Sequence, residues 1–182
     1  MEKTEQSPKD PLPVKSLIVV FSYHHKNTEK IAHVFAKVLD APVKTPQEVA
    51  PGELQGYDLI GFGSGIYSGK HHESLLSLAE RLPQVTDRKA FIFSTGGAPE
   101  RFWNETYVAK NHSAIREKLQ ARGYVVVDEF SCPGFNTNSF LTWFGGINKG
   151  RPNAEDLMHA EESARNLLRN LRGSLAPRDS DK

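Results

Sequence analysis

Three stretches of this chain concentrate residue types that hold ligands. The first, Ser22-Tyr23-His24-His25-Lys26-Asn27-Thr28, sits between an apolar run, Ser16 to Phe21, and a segment of helical period. Hydroxyls, an amide and free backbone N–H groups at a helix N-terminus make an anion site, because the helix dipole and the unpaired donors act together. Capping of the helix by Asn27 or Thr28 is the competing use of the same residues. The second stretch, Gly63-Ser64-Gly65-Ile66-Tyr67-Ser68-Gly69-Lys70-His71-His72-Glu73, follows the apolar run Tyr57 to Phe62. Its glycines permit close backbone approach to a flat ligand, and Tyr67 is placed to lie against that ligand's face. The third, Ser94-Thr95-Gly96-Gly97-Ala98-Pro99-Glu100-Arg101-Phe102-Trp103, follows Lys89 to Phe93 and again sets glycine before aromatics. Ordinary turns and core packing account for any one of these features alone. Their coincidence after three apolar runs points to a site.

The first stretch carries neither G-x-x-x-x-G-K-[ST] nor G-x-G-x-x-G, so a monophosphate fits better than a nucleoside triphosphate or a dinucleotide. Four of the seven histidines fall in His24-His25 and His71-His72. Imidazole suits zinc, copper or iron, but adjacent histidines splay apart and no carboxylate stands at ligand spacing within either pair. A locally positive rim made by His24, His25, Lys26, Lys70 and part of His71-His72 is the preferred reading; no metal ligand is assigned.

The elements that must position these residues follow from periodicity. Ser16 to Phe21, Tyr57 to Phe62, Lys89 to Phe93 and Tyr124 to Val127 read as strands buried on both faces, which require helices on each side. Ile31, Val34, Phe35, Val38 and Leu39 recur at helical spacing. Further helices are predicted over His72 to Leu82 and Thr106 to Arg122, and after Pro152, where Asn153 caps and Gly173 closes. Between them lies a weak strand near Val43 and a helical turn opened by Thr45 and Pro46 before Pro51. The alternation predicts an α/β fold, an open five-stranded parallel sheet with helices on both faces, whose ligands bind beyond the carboxyl ends of the strands.

In combination, Ser-x-x-x-x-Asn-Thr-Glu after the first strand, Gly-Ser-Gly-Ile-Tyr-Ser-Gly-Lys after the third and Ser-Thr-Gly-Gly after the fourth resemble the flavodoxin family over roughly Lys15 to Arg172. The resemblance implies strand order 2-1-3-4-5 and noncovalently held FMN. Its phosphate would lie at Ser22, His24, His25, Lys26, Asn27 and Thr28, and its ring between Ser64, Gly65, Ile66, Tyr67 and Gly69 on one side and Thr95, Gly96 and Gly97 on the other. His25 and Lys26 stand where the family usually has threonine and glycine. No catalytic side chain is implied, because the flavin carries the chemistry.

Composition narrows the partners. A 182-residue chain suits one domain, here 15–172 between a disordered leader, 1–14, and a disordered tail, 173–182. With 23 Lys and Arg against 22 Asp and Glu, nothing global draws it to nucleic acid. No signal peptide or membrane span is legible, which predicts a cytoplasmic protein. The single cysteine, Cys132, excludes an internal disulfide. The expected function is an FMN flavoprotein that transfers electrons, as a carrier for a redox partner protein or as a reductase of a small acceptor such as a quinone. A flavin-free phosphate- or partner-binding module and a metal-dependent hydrolase are the alternatives. Pro133 to Pro152, with Phe135, Phe140, Trp143 and Phe144, reads either as a lid or docking surface or as a satellite core.

Overall fold

A computed structural model describes residues 13–137, 143 and 145–175 of the chain. Most of the expected leader and tail, together with Phe140 and Phe144, lies outside the described residues. The elements in chain order are β1 (Ser16–Phe21), α1 (Asn27–Leu39), β2 (Val43–Lys44), β3 (Leu59–Tyr67), β4 (Lys70–His71), α2 (Glu73–Arg81), β5 (Arg88–Gly96), α3 (Glu105–Ala121), β6 (Tyr124–Pro133) and α4 (Ala154–Leu175). Five strands run parallel in the order β2-β1-β3-β5-β6, and β4 pairs antiparallel with the end of β3. With that short side strand left out of the count, the order is the expected 2-1-3-4-5.

Strand parity divides the core into two layers, since successive side chains point to opposite faces. Leu17, Val19, Ile60, Phe62 and Ile92 meet Leu75, Leu78 and Ala79 of α2 and Ile115 and Leu119 of α3. Ile18, Val20, Leu59, Phe91 and Phe93 meet Ile31 and Phe35 of α1 and Ala160, Ala164 and Leu167 of α4.

Three strands outrun their apolar stretches. β3 continues to Tyr67, β5 to Gly96 and β6 to Pro133, so residues expected in loops are ladder residues. Cross-strand packing explains β3. Gly61 and Gly63 stand opposite Phe91 and Phe93 in the β3–β5 register. A Cβ on Gly61 would lie 2.4 Å from the Phe91 ring, and one on Gly63 2.1 Å from the Phe93 ring. These glycines make room for buried aromatics inside a strand rather than marking a turn. The turn comes later, where Ser68 (φ 50) and Gly69 (φ 80) reverse the chain and pair Ile66 with His71.

In β6 a bulge hides the second half of the strand. Ala90 pairs with Val126 but Phe91 pairs with Asp128, leaving Val127 as the extra residue. Past the bulge Glu129 and Ser131 stand opposite Ile92 and Ser94, on the α3 side of the sheet.

Helix ends differ from expectation in two places. The residue before α1 is Lys26, in the left-handed conformation, and no side chain caps that helix. The turn expected before Pro51 is a single one, closed by the Glu48 N–H on the Thr45 carbonyl and by the Glu48 carboxylate on the N–H and hydroxyl of Thr45, and a 3-10 helix follows it over Pro51–Gly56. α4 passes Gly173 and reaches Leu175. Its start is as expected: Asn153 and Asp156 each accept the other's backbone N–H.

Gly63→Ala should cost about 1–3 kcal/mol of stability, the usual penalty of overpacking. Gly52→Ala, whose Cβ would meet nothing within 4 Å, should change stability by less than about 0.5 kcal/mol. Urea denaturation of both variants checks the contrast.

Candidate functional site

β1, β3, β5 and β6 end at one edge of the sheet, and the segments leaving them line a concavity. Ser22, His24, Asn27 and Thr28 line it after β1, Gly65, Ile66 and Tyr67 at the end of β3, Thr95, Gly96 and Gly97 around the end of β5, and Gly134, Phe135 and Asn136 after β6. All but Gly134 and Asn136 are singled out in the sequence, Phe135 as part of the expected lid or docking segment.

The start of α1 is the most polar wall. Asn27 and Thr28 are buried, at 7% and 1% exposure, yet neither caps the helix. Thr28 Oγ1 lies 2.8 Å from Thr95 Oγ1, and Asn27 Nδ2 donates to the Phe135 carbonyl at 2.8 Å. Among the described residues the N–H groups of Thr28 and Glu29 meet no acceptor. Asn27 Oδ1 is buried without a partner. An unmet buried polar group costs about 1–3 kcal/mol, so this wall favours a ligand that both accepts and donates hydrogen bonds. The free donors and the positive end of the helix dipole favour an anion.

Four singled-out residues do not line the concavity. His25 and Lys26 both adopt φ 52. His25 Nε2 lies 2.8 Å from Thr137 Oγ1 with its ring packed on Phe135, and Lys26 pairs with Glu29 at 3.3 Å. Ser64 serves the opposite face, accepting the His72 N–H and donating to the Gly65 carbonyl. Gly69 supplies the turn before β4.

The two histidine pairs approach through Tyr67, whose ring centroid lies 6.4 Å from His24 and 5.4 Å from His72. His72 also stacks on Phe21 at 3.7 Å and caps α2 by accepting the Ser74 N–H. His71 is buried, with its ring 4.9 Å from His112 and Nε2 3.4 Å from the Phe93 carbonyl. Burial, and then His112, push its pKa down to about 3. It is therefore neutral, and the expected positive rim does not include it. Lys70, like Lys26, has a carboxylate partner, Glu73 at 3.5 Å. Among the described residues no group of three or more His, Cys, Asp and Glu is arranged to hold a metal. Burial pushes the Cys132 thiol up, which leaves it an inert core group.

The aromatics take separate positions. Tyr67 folds across Gly65, where a Cβ would lie 3.0 Å from its hydroxyl. Trp103 backs onto Gly96, 3.2 Å from a Cβ there, and its indole N–H donates to the Ala98 carbonyl at 2.9 Å. Trp143 is 90% exposed, which removes it from any satellite core. The base of its segment is closed by paired backbone bonds between Asn136 and Ile147. Sequence reasoning names Phe135 only as part of the lid or docking segment 133–152 and gives Gly134 and Asn136 no role, because the bulge disguises β6; with that strand carried to Pro133, the strand-end rule finds all three.

A flavodoxin-domain family model matches residues 18–131, more than half of the chain. The chain belongs to the flavodoxin family. An uncharacterised protein of Methanocaldococcus jannaschii is 43% identical over 157 residues, which cover 86% of this chain and 100% of that protein. Oxidised flavodoxin 2 from Bacillus cereus superposes with TM-score 0.63 at 18% identity, covering 86% of this chain and 99% of its own. The flavodoxin of Streptococcus pneumoniae TIGR4 does so with TM-score 0.61 at 17% identity, covering 85% and 99%. At these identities the likeness to the solved structures is one of fold. Among the described residues no helix is long and apolar enough to cross a membrane.

His71 gives the domain a pH signature. The unfolded chain takes a proton there near 6.5, whereas the folded chain refuses it until about 3. Stability attributable to His71 is thus full above 6.5 and is lost as pH falls below it, at up to about 1.4 kcal/mol per pH unit. Chemical denaturation between about pH 6.5 and pH 5, above the range where the carboxylates titrate, should show this slope, and His71→Leu should flatten it.

Proposed function

We propose that this member of the flavodoxin family binds FMN at the common end of β1, β3, β5 and β6 and transfers electrons, either to a redox partner protein or to a small acceptor such as a quinone. The uncapped start of α1 supports this reading most: a buried hydroxyl, a buried amide and unpaired N–H groups face one concavity. Ser22, Asn27, Thr28 and the first N–H groups of α1 would hold the phosphate. Asn27 Oδ1, unpartnered as it stands, suits a hydroxyl of the ribityl chain. Gly65, Gly96 and Gly97 would let backbone approach the ring, with Tyr67 and Phe135 as its apolar neighbours. Lys26 in the left-handed conformation fits a position where the family usually has glycine.

FMN supplies the redox chemistry when bound; the chain binds it, orients it and shapes the field around it. Among the described residues no carboxylate lines the concavity, so that wall does not oppose negative charge acquired there. This favours easier reduction than in acidic relatives of the fold. We assign the protein to the cytoplasm on the same reading.

Thr28→Ala should weaken FMN binding by about 1–3 kcal/mol, roughly five- to 150-fold in Kd. Quenching of flavin fluorescence on titration measures it, and an unchanged Kd would remove Thr28 from the phosphate site. Trp143→Ala, at an exposed position, should leave both FMN affinity and thermal stability as in the parent while slowing reduction of a quinone acceptor. Equal rates for mutant and parent across several acceptors would take Trp143 out of the acceptor surface.

A further inference from the structure

The two helices that cover one face of the sheet, α1 and α4, leave between them a groove whose charge is one-sided. Lys37 of α1 and Arg165, Arg169 and Arg172 of α4 line it, and Glu161 is the one carboxylate among its described lining residues. This is a local excess, because the whole chain balances 23 Lys and Arg against 22 Asp and Glu. Glu161 is already taken, accepting from Arg165 Nε at 3.1 Å and Nη2 at 2.5 Å. Those hydrogen bonds, and then the charges of Arg165 and Lys37, hold its carboxyl below the usual carboxylate range. Among the described residues Lys37, Arg169 and Arg172 form no ion pair.

The fold does not need this arrangement. Arg165, Arg169 and Arg172 stand at i, i+4 and i+7 on one face of α4, where like charges repel and weaken a helix. The helix dipole favours Arg172, in the last turn, but its field falls off before it reaches Arg165 and Arg169. All three arginines and Lys37 are exposed, so none of these charges is spent on the core. Val38 and Leu168, half-buried and packed on the core, are the apolar part of the lining. The groove is thus apolar in its floor and positive along its walls.

An occupant of matching chemistry carries acidic groups and an apolar edge together. The planar fork of arginine takes carboxylate or phosphate oxygens two at a time. Inorganic polyphosphate offers nothing to Val38 and Leu168, and a bilayer surface is too flat to enter a groove between two helices. A single-stranded nucleic acid needs aromatic side chains on which its bases can stack, and none lines this groove. An amphipathic helix with carboxylates along one side meets both demands in the helix-in-groove mode. Its own i, i+4 and i+7 positions repeat at the spacing of the three arginines.

We propose that the groove between α1 and α4 docks an acidic amphipathic helix of a partner protein, whose carboxylates meet Lys37, Arg169 and Arg172 while its apolar edge rests on Val38 and Leu168. From Asn27 to Lys37 the axis of α1 rises by roughly 15 Å. The partner is therefore held along the helical face and leaves the strand-end concavity open. The proposal does not rest on the FMN reading.

The test titrates the 15N-labelled full chain with a synthetic helical peptide bearing glutamates on one side and leucines beside them, and with the same peptide in which glutamine replaces every glutamate. Saturable shifts of the Lys37, Val38, Leu168 and Arg169 amides are expected, with the glutamine peptide bound about tenfold or more weakly and the glutamate peptide weakened by added salt. Arg169→Glu should weaken the glutamate peptide about tenfold and leave thermal stability equal to or above the parent's, because the new carboxylate would face Arg165 and Arg172. Equal affinities for the two peptides, shifts confined to other surfaces, or an affinity indifferent to Arg169→Glu would overturn the proposal. So would a fall in thermal stability in that variant, which would make Arg169 a structural residue. Oligothymidylate and phosphatidylglycerol vesicles are titrated alongside, and tighter binding of either at these amides would overturn the choice of a protein partner. Asp179 and Asp181 follow α4 in the sequence; if their joint replacement by asparagine strengthens peptide binding tenfold, the chain's own end is the occupant and the proposal falls.

Discussion

The seating of Phe91 and Phe93 over Gly61 and Gly63 fixes the spacing between the sheet and α1, and the strand-end site depends on that spacing. Phe35 of α1 packs on both rings, with centroids 4.8 and 5.5 Å away. The rings reach this depth only because the opposing strand has no side chain at those two positions. On the same parity the next residues are Gly65 on β3 and Thr95 on β5, a registered pair. Thr95 therefore emerges beneath the first turn of α1, where its hydroxyl meets Thr28. A core constraint two and four residues earlier in each strand sets the position of the polar wall.

The two faces of the strand ends are put to different uses. Toward α1, backbone donors and small residues leave an open concavity with unmet polar atoms. Toward α3, Ser64, Ser94 and Ser131 form a row across the sheet whose hydroxyls are engaged by the His72 backbone, His112 and one another. Such a buried row holds together because each member is satisfied. Three groups in this layer are exceptions, His71 Nδ1, Asn111 Nδ2 and the Tyr124 hydroxyl, each buried without a partner, and His71 stays neutral because its burial forbids the charge. By pinning β4 against Phe93 and His112 it also steadies the hairpin that carries Ile66 and Tyr67.

Much of this was legible in the sequence, for a definable reason. Strands buried on both faces announce themselves as unbroken apolar runs, and Ser16 to Phe21 is read to the residue. The loops after β1, β3 and β5 follow from the strand-end rule once those runs are placed. What escapes the sequence is what packing decides. Glycine inside β3 reads as loop because the partner ring that makes it a strand residue lies on β5. Val127 ends an apparent strand because a bulge changes parity without changing composition. Asn27 and Thr28 look like caps, and only the tertiary contacts with Phe135 and Thr95 show that their side chains are engaged elsewhere. His71 and His72 look alike in sequence, yet one is sealed in the core and the other caps a helix.

The central claim is that the open start of α1 takes the phosphate of FMN. Its most direct test is the response of the Thr28 and Glu29 backbone amides of 15N-labelled protein to FMN and to riboflavin, which has the same ring and no phosphate. Saturable shifts of both amides with FMN, and weaker binding of riboflavin that leaves them in place, are the predicted result. Binding of FMN that leaves these amides unmoved, or riboflavin bound as tightly as FMN, would contradict the account.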